Sequence, residues 1–306
     1  MSTQTILVVG ATGHQGGAVI NALLSLPHPN TAFHILALTR NPDTPRAKAL
    51  LAAHPAGTVE LIQGDNANPA PIFASKPKGS IDGVFIVTTV GGKVPEEKQA
   101  IPLIDAAAEH GVKHIVFTSV DRGGDEASWT NPTEVGHFQA KHNVEIHLRD
   151  KAEKEGGKFT WTILRPVAFL DNLSPGMFSS MFAAMWTAGL RPETKLQLIS
   201  VKDIGIFAAM AFNEPARWSG RAVGLAGDEL TLGELKERFA KVTGKKLGQA
   251  WTVFGKAVLW SVRDVGTMFA WFEKVGYGVD IKARRKELPE LQDLEAYLKE
   301  SAWMKQ

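Results

Sequence analysis

Gly10, Gly13 and Gly16 stand three residues apart, directly after the apolar run 6–9. A strand that ends on such a turn and opens into a helix constrains this chain more than any other stretch of it. The first glycine permits a tight turn. The second lets backbone amides approach a bound group with no Cβ in the way, and the third lets the helix pack on the strand. Amides at a helix start have no partner within the helix, and the helix dipole adds positive potential there, so a phosphate is stabilised. The stretch Gly10-Ala11-Thr12-Gly13-His14-Gln15-Gly16 is therefore the expected pyrophosphate loop of a dinucleotide.

The context required for that reading is a β-α-β series, and the chain supplies one. Apolar, β-rich runs at 6–9, 33–39, 59–63, 84–88, 114–119 and 160–165 predict strands covered on both faces. Helical patterns over 16–26, 45–53, 95–110 and 134–155 separate them. This alternation predicts an α/β fold with a doubly wound parallel sheet and right-handed crossovers. After Pro166 the pattern changes. Strands at 195–200 and 221–226 flank a helix at 202–213, and Thr231-Leu-Gly-Glu234 fits a capping box with Gly244 as the C-cap. A tryptophan-rich region (Trp251, Trp260, Trp271) and a helix near 291–299 follow. The expected division is a dinucleotide-binding domain over 1–166, with later strands from 195–226, and a smaller C-terminal lobe from 167–194 and 227–306.

Composition narrows the chemistry. With 306 residues and 44% hydrophobic content the chain can bury a full core. Its formal charge of +2 gives no expectation of binding to nucleic acid or to an acidic membrane. There is no cysteine, which removes thiolate metal sites and thiol nucleophiles. The histidines form no His-Glu-x-x-His helix, and no Gly-x-Ser-x-Gly elbow is present, so neither a metal site nor a serine hydrolase is expected. No basic-flanked signal core precedes residue 6, and the apolar stretch 177–190 is broken and too short for a span. A soluble cytoplasmic protein, with the nucleus as a second location, is the expectation.

The end of the second strand selects the cofactor. An Asp or Glu there would bind a ribose 2′-hydroxyl, but the chain reads Thr39-Arg40-Asn41. Arg40 suits a forked contact with a 2′-phosphate, or is a solvated surface arginine. NADP(H) is therefore expected, with NAD(H) as the alternative. Asp65 and Asn66, after the third strand, are candidates for the adenine edge or for a simple turn. Thr88 and Thr89, ending the fourth strand, are candidates for the crevice at the strand C-termini.

Gly10-Ala-Thr-Gly-His-Gln-Gly-Gly17, Thr39-Arg-Asn41, Gly64-Asp65, His137-Phe-Gln-Ala-Lys141, Leu164-Arg-Pro166 and Val201-Lys-Asp-Ile204 together resemble the NmrA-like family of atypical short-chain dehydrogenase/reductase proteins. The resemblance runs from residue 6 to about 247. It implies an extended Rossmann fold with a smaller lobe, and a place among regulators that bind a transcription factor, NADP(H) sensors, or reductases of quinones and related compounds.

Ordinary short-chain reductases use a Tyr with a Lys four residues on. This chain has two tyrosines, Tyr277 and Tyr297, followed at that spacing by Ile281 and Ser301. The ordinary Tyr mechanism is excluded. His137 takes the Tyr position by resemblance, with Lys141 one helical turn later. The resemblance makes Lys141 a ligand of the nicotinamide ribose. It leaves His137 either as an acid that passes a proton or as a packing residue. It also puts Ser119 near a substrate, and Pro166 and Phe169 beside the nicotinamide. Met177, Phe178, Met181, Phe182, Met185 and Trp186 suit a bulky apolar substrate pocket, a core or a dimer surface. The expected partners are the dinucleotide and either a regulatory protein or an apolar small molecule. The basic run 282–286 is a solvated face or a partner contact.

Overall fold

The structure is a computed structural model that describes residues 2–27 and 31–305. Strand β1 (Ser2–Val8) leads through the glycine turn into α1 (His14–Ser25), followed by β2 (Thr31–Thr39), α2 (Pro45–Ala52), β3 (Val59–Gln63) and α3 (Ala70–Ala74). Next come β4 (Gly83–Ile86), α4 (Glu96–His110), β5 (His114–Thr118), α5 (Asp125–Thr130), α6 (Gly136–Lys154) and β6 (Thr160–Pro166). The chain continues through β7 (Ala168–Phe169), α7 (Met177–Gly189), β8 (Leu196–Ile199), α8 (Val201–Asn213), α9 (Pro215–Trp218), β9 (Arg221–Leu225) and β10 (Asp228–Leu230). It ends in α10 (Leu232–Thr243), α11 (Thr252–Ser261), α12 (Arg263–Lys274), α13 (Ile281–Glu287) and α14 (Leu294–Glu300).

Two compact units are formed, neither from a continuous stretch. The first comprises Met1–Ser119, Ala140–Leu164 and Ile204–Val223; the second comprises Val120–Gln139, Arg165–Asp203 and Gly224–Gln306.

The first unit is built on a seven-stranded sheet of order β3-β2-β1-β4-β5-β6-β9. The pairs from β3 to β6 are parallel, with Ile6 opposite Ile35 and Val8 opposite Phe85. Winding runs outward from β1 to β3 and then resumes on the other side of β1, so β1 and β4 flank the switch point. Ile6, Leu7, Val8, Val84 and Phe85 are buried, as strands covered on both faces require. On α1, Val19, Ile20 and Leu23 form the buried stripe. Close packing of α8 on α1 rests on Gly205, where a Cβ would lie 2.5 Å from the Ala18 carbonyl carbon. His114 is buried in β5, and its ring nitrogens bond the hydroxyls of Thr160 and Thr162 at 2.7 and 3.1 Å.

The expected fourth strand differs at its end. β4 stops at Ile86 because Thr88 and Thr89 turn to bond the first turn of α4 instead of a neighbouring strand. The two later strands also part company. β9 joins the large sheet, whereas β8 pairs with β10 and β7 in a three-stranded sheet.

The second unit gathers Phe138, Phe182, Trp186, Phe239, Phe269 and Trp271 into one apolar cluster. The capping box forms as expected: Thr231 Oγ1 accepts from the Glu234 amide, and Glu234 accepts from the Thr231 amide at 2.8 Å. Gly244 closes α10 in the left-handed conformation. Asp121, fully buried, accepts from the amides of Gly123, Gly124 and Gly278. Arg165 stacks on Trp129 at 4.4 Å and donates to the Asp125 carbonyl. In α13, Arg285 donates to the carbonyls of Leu291 and Gly227, which gives the basic run a structural member. Among the described residues, no helix is long and apolar enough to cross a membrane.

Candidate functional site

In the first unit, the glycine turn sits at the switch point between β1 and β4. Gly10 has φ +66°, a left-handed value that favours glycine, and a Cβ there would lie 2.7 Å from Val87 Cγ1. The Gly13 amide donates to the Gly10 carbonyl at 2.8 Å, closing the loop. A Cβ on Gly16 would collide with that same carbonyl and would lie 2.9 Å from Ala11 Cα. Gly10 and Gly16 therefore need glycine, for separate reasons, whereas Gly13 has an ordinary extended backbone and a Cβ there would lie 3.2 Å from the Gly10 carbonyl oxygen. Helix α1 starts at His14 with no side chain capping it, so the first amides of the helix have no partner within it. Gly10, Gly13 and His14 are exposed, and Thr12 and Gln15 half-buried. Gln15 accepts from the Thr118 hydroxyl at 2.8 Å, which ties the first turn of α1 to the end of β5.

Arg40 is exposed at the end of β2, and no ion pair holds its guanidinium among the described residues. Its carbonyl accepts from Gln63. Asp65 accepts from the Ala67 amide at 3.0 Å, and a bridge joins Asp65 to Asn68. Asp65 thus shapes its own turn, and Asn66 lies half-buried within it.

Lys141, Thr88 and Glu96 form a buried polar triangle. The Lys141 ammonium donates to Thr88 Oγ1 at 2.7 Å and to Glu96 Oε2 at 2.6 Å, and the Thr88 hydroxyl donates to Glu96. Lys141 is 8% exposed and Glu96 6%. An ammonium has three donors, and two are spent here. Glu96 lies in the first turn of α4, where the helix dipole also favours its negative charge. Thr89, exposed, is pinned through its backbone: Gln99 accepts its amide at 2.9 Å and donates to its carbonyl at 3.0 Å. Ser119 is buried and donates its hydroxyl to Glu145, which stands one turn after Lys141 on α6.

In the second unit, His137 is fixed by Asp264. The two side chains share a hydrogen bond from Nδ1 to Oδ2. A donated Nδ1–H orients the ring and leaves Nε2 as the nitrogen that exchanges a proton. Phe138 meets the ring edge-on at 4.6 Å and itself packs on Trp271 at 5.3 Å. Asp264 opens α12, and Gly136 lets it approach: a Cβ there would lie 3.0 Å from Asp264 Oδ1. Pro166 ends β6 and accepts the Asp121 amide, while Phe169 is half-buried in β7 opposite Ile199. Phe182, Met185 and Trp186 are core, and Met177 and Phe178 are exposed.

Tyr277 and Tyr297 also lie in the second unit. Burial, with the Asp121 carboxylate nearby, raises the Tyr277 phenol well above its ordinary value. Burial pushes Tyr297 up to about 12. Neither is an acid suited to neutral pH.

Glu96, Gln99, Glu145 and Asp264 escape sequence reasoning. Each is a polar residue in a helix, and the partners named above lie 8 to 127 positions away. The one local signal is acid in a first helical turn, at Glu96 and Asp264.

A family model described as the NmrA-like family matches residues 2–298. An NmrA-like family domain-containing protein of Dictyostelium discoideum is 26% identical, over 97% of this chain and 97% of its own. Among solved structures, NmrA, a negative transcriptional regulator in complex with NADP, superposes with a TM-score of 0.73. It is 19% identical and covers 98% of this chain and 95% of its own. An Escherichia coli NADPH-dependent quinone oxidoreductase complexed with NADPH gives a TM-score of 0.70 at 24% identity, over 96% of this chain and 98% of its own.

Proposed function

The chain belongs to the NmrA-like family, and from that premise we propose that it binds NADP(H) and responds to the nucleotide as a redox-responsive regulator. The observation that carries the binding is the steric requirement for glycine at Gly10 and Gly16, at the switch point. A Cβ at Gly10 or Gly16 meets the protein itself, and the uncapped start of α1 offers its amides to a pyrophosphate. The residues fit the cofactor: Arg40 takes the 2′-phosphate, and the unspent donor of Lys141 takes a ribose hydroxyl. Asp65, Asn66, Thr88, Thr89 and Ser119 are proposed to shape the same site. The bound nicotinamide supplies hydride chemistry.

Regulation is favoured by the missing acid. Neither tyrosine stands at the ordinary place, and burial makes both poor donors. NmrA, the NADP-bound neighbour in fold, is a negative transcriptional regulator. In this reading nucleotide occupancy shifts the population of a form that a protein partner recognises.

The second reading is an NADPH-dependent reductase of a quinone, enone or carbonyl compound. The His137–Asp264 pair favours it, because the carboxylate orients the imidazole as a proton-transfer group would be oriented. The quinone oxidoreductase among the neighbours is consistent with it.

One experiment separates them. NADPH oxidation is followed with panels of quinones, enones and aldehydes, for the wild type and for His137→Ala and Lys141→Ala. Turnover that either variant loses overturns the regulator-only reading. Tight NADP+ binding without turnover overturns the reductase reading for those classes.

A further inference from the structure

Helix α11 carries apolar side chains around its whole circumference, and the protein covers only one side. The sequence Thr252-Val-Phe-Gly-Lys-Ala-Val-Leu-Trp-Ser261 has a single charge. Its inner side packs on α7. A Cβ on Gly255 would lie 2.5 Å from the Ala184 carbonyl carbon, and Leu259 reaches Gly189. The opposite side holds Val253, Lys256, Ala257 and Trp260 at i, i+3, i+4 and i+7. Trp260 is 88% exposed. At the N-terminal end of the helix Trp251, 76% exposed, stacks on Phe254 with ring centroids 5.9 Å apart and planes at 4°. A helix apolar all round normally has both sides covered.

Charge identifies the cover. From residue 172 to 190, through all of α7, there is no charged side chain. From 244 to 263 the charges are Lys245, Lys246, Lys256 and Arg263, all exposed, with no Asp or Glu. The near-neutral total of the chain hides this local excess. We propose that the outer face of α11 docks peripherally on an anionic lipid surface. Trp251 and Trp260 enter the headgroup level, and the four cations meet lipid phosphates and carboxylates.

Three features select lipid over other occupants. A two-fold contact with a second copy would set basic residues against basic residues. The aromatic side chains project rather than line a groove, which suits a soft interface better than a rigid partner. The ten-residue helix is too short to span a bilayer, so its exposed side can only meet the membrane surface.

The test uses the full chain with phosphatidylcholine vesicles, with and without phosphatidylserine, in flotation assays at low and high salt. The expected result is flotation only with phosphatidylserine, weakened by salt. Trp260→Ala and Lys256→Glu each lower the partition coefficient by about tenfold. Trp260 is exposed, so its loss leaves the fold intact, and circular dichroism checks this. The proposal is overturned by absence of flotation, by equal flotation with neutral vesicles, or by Trp260→Ala floating as the wild type does. It is equally overturned if light scattering shows a dimer that Trp260→Glu separates while no lipid binding occurs, or if an acidic amphipathic peptide binds and lipid does not.

Discussion

Lys141 and Glu96, 45 positions apart in the chain, meet at 2.6 Å in the interior of the first unit, with the Thr88 hydroxyl between them. Deleting one member of a buried ion pair strands the other charge, at about 3–5 kcal/mol. Glu96→Ala is therefore expected to destabilise the protein by about that amount. The double variant Glu96→Ala, Lys141→Met removes both charges and recovers most of the loss. Urea denaturation of the set measures this, and a neutral single variant would mean that the pair does not persist in solution.

Arg40 decides between two nucleotides. Its loss should cost the charge-assisted bonds to a 2′-phosphate, about 1.5–3 kcal/mol, or roughly ten- to a hundredfold in Kd. Calorimetric titration of Arg40→Ala should show that loss for NADP+ and an unchanged Kd for NAD+. Equal losses for both would remove the assignment.

His114 makes the first unit sensitive to acid. Burial lowers its pKa to about 4 from an ordinary value near 6.5. Below pH 6.5 the unfolded chain takes up a proton that the folded one refuses. The stabilisation is full above 6.5 and is lost as pH falls towards 4, by on the order of 3 kcal/mol. Denaturation midpoints across this window should fall in the wild type and flatten in His114→Gln.

Asp203 acts in the opposite sense. Burial raises its pKa to about 7, against the Gln292 amide bonded to Oδ2, and its Oδ1 has no hydrogen-bond partner among the described residues. The fold holds this acid protonated where the unfolded chain ionises it. Its contribution is full below about 3.8 and is lost as pH rises to about 7. Asp203→Asn should therefore raise Tm relative to the wild type above pH ~8, and less so at pH ~5. Thermal melts at the two pH values test it.

Much of the large sheet is legible in the sequence because its strands are apolar on both faces and its helices are bounded by turn residues. The glycine turn is legible for a sharper reason: the tight turn expected at Gly10 and the close helix packing expected at Gly16 are separate steric demands, and both appear in the structure. The capping box at Thr231 is equally local, and it forms as spelled. What is not legible is long-range. The end of β4 depends on Glu96 and Gln99, which no strand pattern reveals. The place of β8 in a separate sheet depends on its pairing with β10, 30 residues later. In the tryptophan-rich tail α11 has no single apolar stripe, so it leaves a weak periodic trace. His137 is visible as a candidate, but the carboxylate that orients it is 127 positions away.

The Asp121 carboxylate takes its third amide from Gly278, 157 residues further on. During synthesis, that acid emerges long before the donor that completes its shell. Until then the loop at 121–124 must keep its carboxylate in water. The second unit, drawn from three separated stretches, can close only when the ribosome has delivered Gly278. A stop codon placed just before that glycine should thus be nearly as damaging to it as an early one.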